Sequence, residues 1–289
     1  MISKDQEKLI VEIEKLQAQL VADMEAALPK IFAQLSDEVI GLVSELSLDP
    51  DDRAKTLRET ITLKRKIADS LVENVTYQAA VASVVGGFEK MAKLTDDYMS
   101  LILDDYSRKK DLYNAILRVN IDQTKNLLLG AGVRDNFSGA IQEVLKAFVS
   151  GVGTSKELQK TLRTFIKGSA TQKPFLERYI RQTTSDAVMI FNREYINTIS
   201  EDLNVKHYYY AGVIVADSRD FCIARTGRGF TRKEVEDWAS LGKWQGRMPN
   251  TNKTTIFSYC GGYNCQHELY PISLEQYQEM KKQKQTGVK

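Results

Sequence analysis

The sequence holds few cysteines and histidines: Cys222, Cys260 and Cys265, all in the last quarter of the chain, and His207 and His267. An odd number of thiols in a chain expected to carry no export signal argues against a disulfide framework and favours reduced thiols or metal ligands. No apolar run approaches the ~18 to 20 residues that a bilayer span requires, so no membrane association is expected. Met1 to Gln6 lacks the charge block and apolar stretch of a signal peptide, and the chain is therefore expected to be cytoplasmic when made. Nucleotide and metalloprotease signatures are missing as well. There is no Walker loop, no His-Glu-x-x-His and no dinucleotide glycine fingerprint, and Gly227-Arg-Gly229 is too short for a phosphate site.

What is present is ordinary for a globular protein. Of 289 residues 43% are hydrophobic and 27% charged, enough for a substantial core and about two domains. The formal charge of +2 hides a polarity. The first fifty residues carry Lys4, Lys8, Lys15 and Lys30 against ten acidic side chains, whereas the last nine carry four lysines and no acid.

From Ser3 to about Leu48 the apolar residues Leu9, Ile13, Leu16, Leu20, Met24, Leu28, Ile31, Phe32 and Leu35 recur three or four apart, the spacing of one helix face. The spacing predicts a long amphipathic helix with a bend expected at Pro29, where the ring removes an N–H and crowds the preceding turn. Asp49-Pro50 should end this helix and Asp51 or Asp52 cap the next, from about Arg53 to Val75. Gly86-Gly87, Gly130-Ala-Gly132 and Gly151-Val-Gly153 are expected to punctuate the following helices. Thr154-Ser155 should cap a helix at Lys156 to Lys167, and Pro174 should open another that reaches Ile199. The broad apolar face of the first helix needs a cover, supplied either by intramolecular bundling or by another copy or partner protein, because a helix of that length outreaches a compact globule at ~1.5 Å per residue.

The texture changes near Val205. His207-Tyr-Tyr-Tyr-Ala-Gly-Val-Ile-Val215 is rich in aromatic and β-branched residues and predicts a strand. Thr231 with Glu234 three positions on predicts a short capped helix, and a last helix is expected from about Ser273 to Lys282. The expected class is α+β, predominantly α: a helical domain over 1–204 and a small α+β module with a basic tail over 205–289.

The module holds the residues with chemical potential. Cys265 and His267 are two apart, so on an extended chain both side chains point the same way. The glycines of Cys260-Gly-Gly-Tyr-Asn-Cys265 permit a tight turn, and Cys222 follows the expected strand. Cys222, Cys260, Cys265 and His267 together would make the three-thiolate, one-imidazole shell of a closed structural zinc site. The competing reading packs the thiols as small hydrophobes. Arg225, Arg228, Arg232 and Arg247, interleaved with Phe230, Trp238 and Trp244, are candidates for contacts to DNA phosphates and bases, against a solvated surface in which Asp220, Glu234, Glu236 and Asp237 also take part. A catalytic reading would pair Cys222 with His207 or His267, oriented by Asp217, but two histidines make a choice and no signature, so an enzyme is not expected.

Three segments also carry a resemblance: Asp217-Ser-Arg-Asp-Phe-Cys222, Arg225-Thr-Gly-Arg-Gly-Phe230, and Cys260-Gly-Gly-Tyr-Asn-Cys-Gln-His-Glu-Leu-Tyr-Pro-Ile272. An Asp-x-Arg and Cys segment after a strand, followed by a Gly-Gly-aromatic-Asn-Cys-x-His segment and a proline, resembles the core of the phage Mu F-like head morphogenesis family. The helix Arg181-Gln-Thr-Thr-Ser-Asp-Ala-Val-Met-Ile-Phe-Asn192 is similar to the one that precedes that core. The likeness runs from about Phe175 to Ile272; Gln266 stands where many members carry a basic residue, and the stretch before Phe175 holds no family motif. The resemblance implies a minor head protein of a tailed bacteriophage, present in several copies near the portal, with portal and other head proteins and packaged DNA as partners. It would be made in the host cytoplasm and incorporated into the virion. The alternatives are an internal cargo protein ejected with the genome, and a toxin-like or transferase enzyme built on the carboxyl module.

Overall fold

The computed structural model describes residues 1–45, 53–103, 106, 110–150 and 154–285. Helices dominate, and a three-stranded antiparallel sheet sits toward the carboxyl end, so the chain is α+β and predominantly α. The expected break at Asp49-Pro50, the caps at Asp51 and Asp52, the glycines 151 and 153, and the last residues of the basic tail lie outside the described residues. Among the described residues no helix is long and apolar enough to cross a membrane.

Two compact units interleave along the chain. One combines Met1–Leu20, Gly86–Ile121 and Ser185–Lys289; the other combines Val21–Val85 and Asp122–Thr184. The change of texture at 204–205 is the passage from helix to strand, and it falls inside the first unit. A small sheet exposes apolar faces that need helices over them. The compact units therefore cut across that point, because the first unit recruits helical segments from three parts of the chain.

Helix α1 (Lys4–Ser44) runs through Pro29 without ending, as the periodicity predicts. Its apolar face is covered by the chain itself: Ile13, Leu20, Met24, Leu28, Ile31, Phe32 and Leu35 are all buried. After α2 (Arg53–Glu73) comes α3 (Val75–Ser100), which departs from expectation. Gly86-Gly87 does not interrupt it. A Cβ on Gly87 would lie 2.5 Å from both δ carbons of Leu20, so this glycine serves close packing inside the helix and marks no boundary.

In the second unit, α4 (Lys110–Leu129) contributes its end, followed by α5 (Ala131–Ser150) and α6 (Ser155–Lys167). Thr154 caps α6 with a reciprocal box: its hydroxyl accepts from Glu157 N, and the Glu157 carboxylate accepts from Thr154 N. Phe137, Phe165 and Phe175 form a stacked row, and Tyr77 donates to Leu128 O at 2.7 Å.

The first unit is built round α7 (Glu177–Asp202) from residue 185 onward. Phe191 stacks on Phe88 with ring centroids 4.4 Å apart, and Tyr195 meets Tyr113 edge-on. Strand β1 (His207–Ala211) is central, flanked by β2 (Arg228–Thr231) and β3 (Glu268–Pro271). Tyr208 pairs with both Phe230 and Pro271. The strand is shorter than the sequence predicts. It stops at Gly212, whose φ of +147° takes the backbone out of the ladder, and Val213, Ile214 and Val215 are exposed. Beyond it come single-turn α8 (Asp220–Ile223), α9 (Arg232–Trp238) with Thr231 and Glu234 forming the expected capping box, single-turn α10 (Ile256–Tyr259), and α11 (Leu274–Gln285).

Replacing Phe191 with Ala should cost about 3 to 5 kcal/mol, the range for deleting a fully buried ring. Urea unfolding monitored by circular dichroism should show a lower midpoint with little change in slope; an unshifted midpoint would mean that the Phe88 stack does not hold this unit.

Candidate metal centre

Burial alternates along β1 so that Tyr208 and Tyr210 face the core, and Tyr210 brings its hydroxyl to the centre of the module. The backbone then loops out and returns in α8, where Phe221 and Cys222 are the buried residues. The third approach is the loop after α10. Cys260 has φ +45°, Gly262 φ +101° and Asn264 φ +54°, three left-handed turns that fold the chain back within a few residues. Gly261 passes so close that a Cβ there would sit 2.6 Å from Cys222 Sγ and 2.9 Å from Cys265 Sγ. Only glycine fits at that position without displacing the sulfurs.

Cys222, Cys265 and His267 converge, with one ligand atom from each lying within 4.8 Å of the others. The sulfurs are 3.8 Å apart and Cys265 Sγ is 4.0 Å from His267 Nδ1. Zinc–sulfur bonds of about 2.3 Å in a tetrahedral shell give sulfur–sulfur edges of about 3.8 Å, so the thiols stand at the spacing a metal needs. The imidazole is poorly satisfied by protein alone. Its Nδ1 sees a sulfur only at the far limit of hydrogen bonding, and its Nε2 is buried with no hydrogen-bond partner. The ring is held in place, stacked on Tyr210 at 5.4 Å and pressed against Gly212, where a Cβ would lie 2.6 Å from it. These three residues therefore fit a metal ion by spacing and donor type.

Cys260 does not join them. It is fully buried and its thiol donates to Phe257 O at 3.4 Å, one turn back along the chain. The spacing that suggested a fourth ligand is used instead to turn the backbone, with Cys260 at the strained corner. Burial pushes its thiol up to about 12, against the pull of Arg193. The Cys222 and Cys265 pair shares a hydrogen bond that raises the first thiol and lowers the second.

Arg193 on α7 supplies the countercharge. Its guanidinium is fully buried, and burial works against its charge, but Cys260, Cys265 and Glu268 nearby hold it protonated. It donates through Nε to His267 O and through Nη1 to Ser258 O, each at 3.1 Å, and through Nη2 to Cys265 O. One side chain thus ties three carbonyls of the cysteine loop. Two neighbouring groups extend the seam: Asp186 accepts from Asn264 N at 2.7 Å, and Glu268 accepts from Gln17, Asn192 and Tyr270. Burial raises the Glu268 carboxyl above its ordinary range, opposed by Arg193 and these donors.

Comparison with protein-family models, with curated proteins and with solved structures gives no match for this chain. The Mu F-like resemblance consequently rests on the quoted residues themselves.

The four arginines read as DNA contacts are engaged within the module. Arg225 stacks on Phe221, its guanidinium carbon 3.8 Å from the ring centroid, and donates to Phe221 O. Arg228 donates to Ala224 O and faces Phe230. Arg232 pairs with Glu201 and Glu236 and covers Phe257. Arg247 donates to Ala239, Leu241, Gly242 and Thr251 carbonyls and stacks on Trp244. Each of the four thus makes contacts within the module; Arg228 is exposed and Arg225, Arg232 and Arg247 are partly exposed. His207 stacks on Tyr277 and lies outside the metal group. Sequence reasoning missed Arg193, Glu268 and Tyr210. The one available signal was an arginine set among the apolar residues of α7.

Arg193→Met should lower stability by at least about 3 kcal/mol, because three buried carbonyls lose their donor. Arg193→Lys should not restore it, since an ammonium cannot fork to three acceptors. Equilibrium urea unfolding of both variants checks this, and a wild-type midpoint in either would remove the clamp.

Proposed function

We propose that this protein is a structural minor head protein of a tailed bacteriophage, acting in head morphogenesis near the portal, and that its carboxyl module is stapled by a zinc ion. The observation that carries the reading is the closure of the cysteine centre. Cys222, Cys265 and His267 are at most 4% exposed, so the sulfurs are sealed from a bulky substrate, and closed thiolate sites of this sort serve shape. Thiolate and imidazole donors favour zinc over the harder cations, which prefer oxygen. The likeness of the 217–222 and 260–272 segments to the Mu F-like core supplies the virion context. Most of the α1 apolar face is buried within the chain, and portal and other head proteins and packaged DNA remain the partners this reading expects.

Mass spectrometry of purified proheads and virions of the encoding phage should find the protein at a small, definite copy number. Absence from both particles would overturn the virion role, and a variable number would favour ejected cargo. Atomic emission should find one zinc per chain. Chelation should then lower stability by about 4 kcal/mol for a site held at a thousand times its dissociation constant, read as a fall in the thermal midpoint. Cys222→Ser should abolish both the zinc and the chelator effect, whereas a metal-free wild-type protein would eliminate the staple.

A further inference from the structure

The geometry points to Tyr210 as the fourth ligand of this centre, giving a shell of two thiolates, one imidazole and one phenolate. The assignment rests on the metal reading above and deepens it. The Tyr210 hydroxyl is fully buried and lies 3.5 Å from Cys222 Sγ and 3.9 Å from Cys265 Sγ, astride the sulfur pair. Zinc with sulfur at about 2.3 Å and oxygen at about 2.0 Å has sulfur–oxygen edges of about 3.5 Å, so the oxygen stands where a vertex would be. The Tyr210 ring also lies nearly parallel to the His267 ring, 10° apart in plane with centroids at 5.4 Å, so the phenol and the imidazole flank the same sulfur pair.

Cys260, the alternative, is poorly placed. Its thiol is spent on Phe257 O, and it lies outside the group of donor atoms within 4.8 Å. The backbone of Gly261 occupies the space against the two sulfurs, and Gly261 O is itself held by Trp244 Nε1 at 3.0 Å, so the loop is fixed in that position.

Binding is a proton exchange. Zinc enters as the dication, the Cys222 and Cys265 thiols and the Tyr210 phenol give up their protons to solvent, and His267 binds through a neutral ring nitrogen. No oxidant or reductant takes part. A phenolate in place of a third thiolate makes the site harder in donor character than a three-cysteine site, and it ties the ion directly to the central strand of the sheet.

X-ray absorption on the zinc-loaded full-length protein should fit two sulfur and two nitrogen or oxygen neighbours. Tyr210→Phe, which removes only the oxygen, should weaken zinc binding by more than about 100-fold, beyond the 10- to 100-fold that loss of an outer-shell partner costs. In the cobalt-substituted variant the visible ligand-field bands should shift while the thiolate-to-cobalt band keeps its intensity. Cys260→Ser should leave all of these unchanged. Three sulfurs per zinc, or loss of metal in Cys260→Ser, would hand the fourth position to Cys260 and leave the metal reading standing. Two sulfurs with an unaffected Tyr210→Phe variant would replace the phenolate by water and equally overturn the assignment. A wild-type protein that takes up no zinc removes the metal reading and this one together.

Discussion

A buried guanidinium is the constraint on which the carboxyl module depends. The loop from Ser258 to His267 makes three left-handed turns and leaves several carbonyls inside the core, where each would cost about 1 to 3 kcal/mol without a donor. Arg193 answers three of them from a single side chain. Its planar fork is suited to this, and Cys265 and Glu268 beside it favour its charged form against the cost of burial. Asp186, about two turns before Arg193 and so on the same face of α7, accepts from Asn264 N in the loop, while Asn192 donates to Glu268 at the start of β3.

This arrangement explains the unequal legibility of the sequence. Capping boxes are local chemistry over four residues, and those at Thr154 and Thr231 were readable and are present. The amphipathic period of α1 was readable for the same reason, being a repeat that needs no knowledge of the partner. Gly86-Gly87 was misread because a glycine that permits close packing looks like a glycine that ends a helix, and only the approach of Leu20 tells them apart. The strand at His207 overran because Val213 to Val215 have the composition of a strand but follow Gly212, whose backbone leaves the sheet.

The candidate site was legible in part for a related reason. Cys265 and His267 were placed together by the period of an extended chain, and Cys222 by its position after a strand. Cys260 was assigned by proximity in sequence, whereas the left-handed turn at that residue directs its thiol back to Phe257. Arg193 and Glu268 act across the fold and have no spacing to betray them. The basic stretch has a composition shared by DNA-binding surfaces and by internal clamps, and the stacking of Arg225, Arg247 and Arg232 on Phe221, Trp244 and Phe257 follows no spacing that the sequence displays.

A metal staple would add to what the buried cluster round Tyr208, Tyr210, Phe221 and Trp238 supplies by packing. Strands of four or five residues and single-turn helices such as α8 and α10 are too short to be stable by their own hydrogen bonds. A disulfide between Cys222 and Cys265 would join two points of the chain. An ion bound by Cys222, Cys265 and His267 joins α8, the cysteine loop and the approach to β3, and with Tyr210 it also joins β1. Each added attachment restrains a segment whose local propensity is weak, so the same few donor atoms fix far more of the fold as metal ligands than as a covalent pair. The imidazole of His267 fits that logic: it is held by Tyr210 and Gly212 beside the two sulfurs, in a place where protein offers its nitrogens little.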